Sequence, residues 1–179
     1  MSTNWLFSIN FIEIVTAILA TIHFKKYCLT TERYFLYYLW YSVFTETISV
    51  ISAYIFNHDF VTIILLYDIV SFSFFIFWYF TILNKSINKK ILLIAVVFFY
   101  GVTIYEFCFL DWMVTNKYTL ISGAIVIIIG SFLYFSEILK SNKILNIKED
   151  LRFWIGTGLL LFNVGYIPIE IFKEIFNAH

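Results

Sequence analysis

Apolar and polar positions along this chain fall into long blocks instead of alternating residue by residue. Short polar breaks separate apolar runs at about residues 5–24, 34–56, 60–83, 91–110, 118–139 and 153–172. Each run is roughly 20 residues, the length that crosses the hydrocarbon core of a bilayer. Continuous apolar character argues against the roughly ten-residue alternating strands of an outer-membrane barrel. Within lipid, helices then remain the way to satisfy every backbone N–H and C=O. The pattern predicts an all-α, polytopic transmembrane bundle of six spans, forming a single transmembrane domain over residues 1–179. Short connections at 57–59 and 84–90 make consecutive helices antiparallel neighbours in an up-and-down order. The longest connection, KSNKILNIKEDLR at 140–152, is expected to carry a short interfacial helix.

Composition supports the membrane reading. Hydrophobic residues make up 61% of the chain and charged residues 13%, against about 25% charged in a soluble domain. Basic residues then set the orientation. Lys25, Lys26, Arg33, Lys85, Lys89, Lys90, Lys140, Lys143, Lys148 and Arg152 share one side, leaving Lys117 and Lys173 on the other. That bias marks a cytoplasmic face. The expected location is a bacterial cytoplasmic (inner) membrane, with both termini outside if the spans number six; a seventh helix in a longer chain would reverse the C-terminus. The first run has no basic leader and no small-residue cleavage site, so it reads as a span and not as a signal peptide. Trp5, Trp112, Trp78 and Trp154 fall near span ends, as an aromatic belt requires, whereas Trp40 sits deeper. Cys28 and Cys108 fall on opposite sides and are expected to remain unpaired.

The acidic residues change the picture more. Glu13, Glu46, Asp68, Glu106, Glu137 and Glu170 fall one in each run, with no Lys or Arg inside the apolar stretches and His23 the one nearby base. At 1.5 Å per residue, Glu13 and Asp68 lie about 12 Å and Glu46 about 15 Å below the outer ends of their spans. Glu106 and Glu170 are shallower on the same side, and Glu137 lies near the inner interface, within reach of water or Lys140. Polar neighbours recur at helical offsets of three and four: Asn10, Glu13, Thr16, Ala20 and His23 on the first span, Tyr38, Ser42, Thr45, Glu46, Ser49 and Ser52 on the second. Ser71 follows Asp68, Thr103 precedes Glu106, and Asn163, Tyr166 and Glu170 align on the sixth. These faces are expected to point into the bundle. A charged acid at the centre of a span costs about 2.5–3.5 kcal/mol, so clustering favours at least one protonated, hydrogen-bonded acid among Glu13, Glu46 and Asp68 unless a cation is present.

Other signals are weaker. Gly123 and Gly130, and likewise Gly158 and Gly165, are seven residues apart, which puts each pair on one helix face open to a neighbour. Pro168 removes a backbone donor near the outer end of the sixth span. No phosphate-binding glycine loop, HExxH, CxxC or GxSxG occurs. Asn57-His58-Asp59 reads as a polar turn, and inner basic residues are explained by topology and anionic lipid, so no nucleic-acid partner is expected.

The stretches KKY…YFLYYLWYSVFTE and EILKSNKILNIKEDLRFWIGTGLLLFNVGYIPIEI, with Phe153-Trp154-Ile155-Gly156 and a late proline, resemble a loose group of small bacterial six- or seven-helix membrane proteins, some found beside sensor kinases. The resemblance implies signalling or sensing and transfers no catalytic residue. Together these readings favour a non-enzymatic sensor or receptor-like module. It would bind a small ligand or cation in an outward-facing acidic cavity lined by Glu13, Glu46, Asp68, Glu106, Glu170, Tyr166 and Asn163. Beyond the lipid bilayer, its expected partner is a cytoplasmic signalling protein docked on the inner basic loops. The alternative is a proton or cation pore or carrier, including a homo-oligomeric effector of antiviral defence. An intramembrane enzyme ranks third. Metal and cofactor identity are left open by the residues.

Overall fold

The computed structural model describes residues 3–56, 61–110, 117–140 and 150–177, with side-chain surroundings for 11–49, 51–52, 65–110, 117–140 and 150–172. Trp5, Asn10, Trp112, the turn at 57–59 and most of the expected interfacial helix therefore lie outside the described side chains. Among the described residues the chain is helical and without strands: α1 (Thr3–Ile22), α2 (Arg33–Phe56), α3 (Val61–Ile82), α4 (Ser86–Phe109), α5 (Lys117–Leu139) and α6 (Leu151–Asn177), with a 3-10 turn at Phe24–Lys26. Four of these are long and apolar enough to cross a membrane: Leu65–Ile82 within α3, α4, α5 and Leu151–Phe172 within α6. The described apolar part of α1 is shorter, Phe11–Ile22. Tyrosines, serines and threonines dilute the apolar character of α2. The exposed faces are apolar as well, with Ile94 72%, Leu161 69% and Phe132 61% exposed, as lipid-facing residues are and water-facing ones rarely are in such numbers.

The helices gather into two compact units, Met1–Ser71 and Phe72–His179, dividing within α3. In the first, α2 runs back along α1. Trp40 Nε1 donates to Thr21 Oγ1 at 3.2 Å, while Glu46 meets Glu13 further along. The α1–α2 connection folds onto α1 through Tyr27, whose hydroxyl donates to the Ala20 carbonyl; burial pushes that hydroxyl above its ordinary pKa. The polar stripe expected on α1 is narrower in the structure. Ala17 is fully buried and Glu13 half-buried, but Thr16 and His23 are exposed. Each bonds a carbonyl four residues back, Thr16 to Ile12 at 2.8 Å and His23 to Leu19 at 2.9 Å, and so needs no partner helix.

The second unit is organised by α5, which packs against both α4 and α6. A seven-residue repeat selects the facing surfaces: Leu92, Phe99 and Glu106 on α4, Gly123, Gly130 and Glu137 on α5, Gly156, Asn163 and Glu170 on α6 are all buried. Seven residues are nearly two turns, which keeps one stripe against its neighbour along the helix. Gly123 and Gly130 admit aromatic rings from α3. A Cβ at Gly123 would lie 2.7 Å from the Phe72 ring, and one at Gly130 would lie 2.8 Å from the Tyr79 ring. Tyr79 then reaches Ser131 Oγ at 2.6 Å. The second glycine pair behaves otherwise, because Gly158 and Gly165 have nothing within 4 Å of where a Cβ would stand. They sit two positions on from Gly156 and Asn163, about 200° round the helix. Trp78 also departs from the expected interfacial belt: it is 1% exposed and packs against Tyr79 and Tyr134. Trp154 is exposed, Cys28 and Cys108 are free thiols, and α6 runs through Pro168 to Asn177.

Two carboxylates tie α4 to α5 end to end. At one end Glu137 of α5 accepts from Asn84 N at 2.8 Å, Lys85 N at 3.0 Å and Asn88 Nδ2 at 2.7 Å. At the other, Glu106 of α4 accepts from Tyr118 N at 3.1 Å and Thr119 N at 2.7 Å. The first turns of a helix carry unsatisfied N–H groups and a positive partial charge, so each glutamate caps the helix that starts beside it. Lys85, the residue at the start of α4, offers no side-chain cap of its own. The cap from Glu137 also explains why α4 starts at Ser86, about five residues before the expected span, leaving Lys89 and Lys90 on the helix and not in a loop.

Two outcomes follow. Thermal unfolding in detergent should show Gly123→Ala and Gly130→Ala destabilised by about 1–3 kcal/mol through overpacking, with Gly158→Ala neutral or slightly stabilising. Replacing Glu106 by Ala leaves two amides without an acceptor and should cost about 1–3 kcal/mol. Hydrogen exchange should then quicken at Tyr118 and Thr119, and at Asn84 and Lys85 in Glu137→Ala.

Candidate functional site

Within the first unit, α1, α2 and α3 place a chain of polar side chains in one line. Glu13 on α1 hydrogen-bonds Glu46 and Ser42 on α2. Ser42 Oγ meets Tyr67 Oη of α3 at 2.7 Å. Tyr67 hydrogen-bonds Tyr38, and Tyr38 bonds Ser71. Ser71 Oγ closes back on the Tyr67 carbonyl at 2.7 Å. The stack of Tyr41 on Tyr67, with centroids 5.9 Å apart and planes at 21°, holds the phenol in place. Helix periodicity builds this line: Tyr38, Ser42 and Glu46 succeed one another at four-residue steps on α2, and Tyr67 and Ser71 do the same on α3.

The two ends of the chain differ in chemistry. A hydrogen bond between two carboxyl groups forms only with a proton between them, which makes the neighbouring Glu13 and Glu46 the expected place for a protonated acid. Glu13 Oε2 is buried and accepts no hydrogen bond from the described residues. A buried acceptor without a donor costs about 1–3 kcal/mol, which a proton, a cation or a ligand donor would relieve. Serine and tyrosine hydroxyls each donate and accept, so Ser42, Tyr67 and Tyr38 can form a continuous run, while Ser71 gives its hydrogen to the Tyr67 carbonyl and fixes the direction at that end.

The other residues singled out from the sequence have different surroundings. Asp68 is half-buried, about 100° round α3 from Tyr67. No group of three His, Cys, Asp or Glu side chains able to hold a metal forms among the described residues. In the second unit Glu106 is 2% exposed and serves as the cap of α5. Asn163 and Glu170 are buried on α6; the Asn163 amide donates to the Leu159 carbonyl at 2.8 Å. Tyr166 is half-buried and stacks on Phe162. Sequence reading missed Tyr67, and it set Glu137 near water or Lys140 without its amide partners. The four-residue spacing of Tyr67 and Ser71 was a usable signal for the first. For Glu137 nothing local pointed to Asn84, Lys85 and Asn88, which lie about fifty residues away in the chain.

Comparison with known proteins does not extend this picture. No family model matches the chain, and neither any curated protein nor any solved structure matches it.

Infrared spectroscopy at neutral pH checks the shared proton. The carbonyl stretch of a protonated carboxyl group should be present in the native protein and weaker in both Glu13→Gln and Glu46→Gln. An unchanged band in both variants would refute it. Tyr67→Phe should leave the band in place and cost about 0.5–1.5 kcal/mol in stability.

Proposed function

We propose that this chain is a six-span protein of a bacterial cytoplasmic membrane, with both termini outside, that senses a small cation or cationic ligand at the Glu13–Glu46 pair. The observation that carries this reading is the pairing of the Glu13 carboxyl group on α1 with that of Glu46 on α2, with Glu13 Oε2 buried and without a hydrogen-bond partner among the described residues. An intramembrane acid is costly and commonly marks a pathway or site. Exchange of the shared proton for a cation replaces a bond that joins the two helices with one that is centred between them. Any resulting shift of α2 is relayed to α3 through Ser42 and Tyr67. The inner basic loops then offer the surface on which a cytoplasmic partner docks, in keeping with the resemblance to proteins found beside sensor kinases. Glu170, Asn163 and Tyr166 on α6, and Asp68 on α3, are secondary candidates for the ligand; Glu106 contributes to the frame.

A second reading, a proton carrier, is favoured by the continuity of the hydroxyl chain from Glu13 to Ser71.

Hydrogen exchange of purified protein titrated with protons and monovalent cations tests the sensor. The α1 and α2 amides should change protection in the native protein, and Glu13→Gln and Glu46→Gln should abolish the response; an identical response in both variants sinks the proposal. Proton flux in liposomes that disappears in Tyr67→Phe would instead establish the carrier.

A further inference from the structure

Between α1 and α2 the chain makes a run of tight turns whose backbone bonds close within the run. Lys26 N donates to the His23 carbonyl at 3.0 Å, Tyr27 N to that of Phe24 at 3.1 Å, and Thr30 N to that of Tyr27 at 3.0 Å. Thr30 Oγ1 donates to the same Tyr27 carbonyl at 2.8 Å. The Tyr27 hydroxyl reaches back seven residues to the Ala20 carbonyl, so the connection is tied to the end of α1. Phe24 supports it, meeting the Tyr27 ring edge to face at 5.6 Å.

The surface of this connection carries one sign of charge. Lys25, Lys26 and Arg33 are exposed, whereas Glu32, the one acid in the segment 23–33, is buried at 4% exposure. Arg33 gives an N–H to the Tyr34 hydroxyl at 2.9 Å and stands over that ring at 4.9 Å. A phenol is neutral and a guanidinium has five donors, so the charge of Arg33 is not cancelled by this contact. Among the cations stands Leu29, 95% exposed, and the first two turns of α2 add the exposed Tyr34 and Tyr37. An acidic soluble partner would answer the cations alone. An anionic bilayer surface answers all three features: phosphates meet the cations, the acyl boundary takes the leucine, and tyrosines sit at head-group level. Continuity favours the same occupant, since Ile22, 68% exposed, ends the apolar face of α1 where the turns begin.

We infer that the α1–α2 connection is an interfacial anchor for anionic phospholipid, with Lys25, Lys26 and Arg33 on head-group phosphates and Leu29 in the acyl boundary. Because Tyr27 ties the connection to α1, the anchor also sets the depth of that helix end. On the topology proposed above the surface is the cytoplasmic leaflet, and the other inner loops remain for a cytoplasmic partner. The inference rests on the membrane reading of the chain and is separate from the Glu13–Glu46 site.

The test uses the full chain carrying Leu29→Cys, Cys28→Ser and Cys108→Ser, labelled at residue 29 with an environment-sensitive fluorophore and reconstituted in vesicles. With phosphatidylglycerol present, emission should shift to the blue and be quenched by lipids brominated near the head group. In phosphatidylcholine alone the quenching should be weaker, and high salt should reduce the difference. When phosphatidylglycerol is titrated into the labelled protein in neutral detergent, adding Lys25→Gln, Lys26→Gln and Arg33→Gln should weaken its apparent affinity at least about tenfold. Lys25→Gln with Lys26→Gln, both at exposed positions, should weaken it measurably with the fold intact. Lys89→Gln with Lys90→Gln, on α4, should retain it. A label that stays in water in every vesicle overturns the anchor in favour of a soluble acidic partner. Equal quenching with and without phosphatidylglycerol, or undiminished affinity in the connection variants, overturns the anionic assignment.

Discussion

The second unit depends on carboxylates that accept backbone N–H groups at the start of a neighbouring helix. Glu106 and Glu137 sit near opposite ends of an antiparallel pair, each capping the helix that begins beside it. Two fixed ends leave α4 and α5 one register. That register aligns the seven-residue stripes, sets Gly123 beneath Phe72 and Gly130 beneath Tyr79, and brings the starts of α4 and α6 to one cavity. In lipid, an uncapped helix start that is shielded from water has no solvent donor or acceptor to turn to, so these bonds carry more of the architecture than they would at a wet surface.

The same residue type plays two chemical roles in the two units. Where a glutamate faces amide N–H groups, its negative charge is matched by the helix end and it becomes part of the frame. Where Glu13 faces Glu46, neither is given such a helix end, and on the function proposed above the pair holds together through a proton. A frame carboxylate has one settled state. A carboxyl pair has at least two, with the proton between the groups or exchanged for another cation, and two states are what a sensor or a carrier needs.

Packing differs accordingly. In the second unit glycines let rings lie against a helix backbone. In the first, α2 and α3 are linked by polar side chains, Tyr38 pairing with Ser71 and Tyr67 with Ser42. A phenol is rigid and ends in a group that both donates and accepts.

Much of the helical layout was legible in the order of residues, because spans in lipid must be long, apolar and self-satisfied in their backbone. The six helices lie within a few residues of the apolar runs, apart from the early start of α4 and the extension of α6. One acid per run was legible too, as was the four-residue polar stripe on α2. What each acid does was not. Glu106 and Glu137 differ from Glu13 and Glu46 in nothing local; their roles follow from which helix start or which carboxyl group the fold delivers to them. The choice between Gly123 with Gly130 and Gly158 with Gly165 was equally hidden, since a seven-residue spacing places two glycines on one face without saying which face meets a neighbour. Sequence alone determined the periodicities and the apolar lengths, which are properties of single helices. Tertiary structure decided the partners, because hydrogen bonds between helices depend on register, and register is a property of the pair.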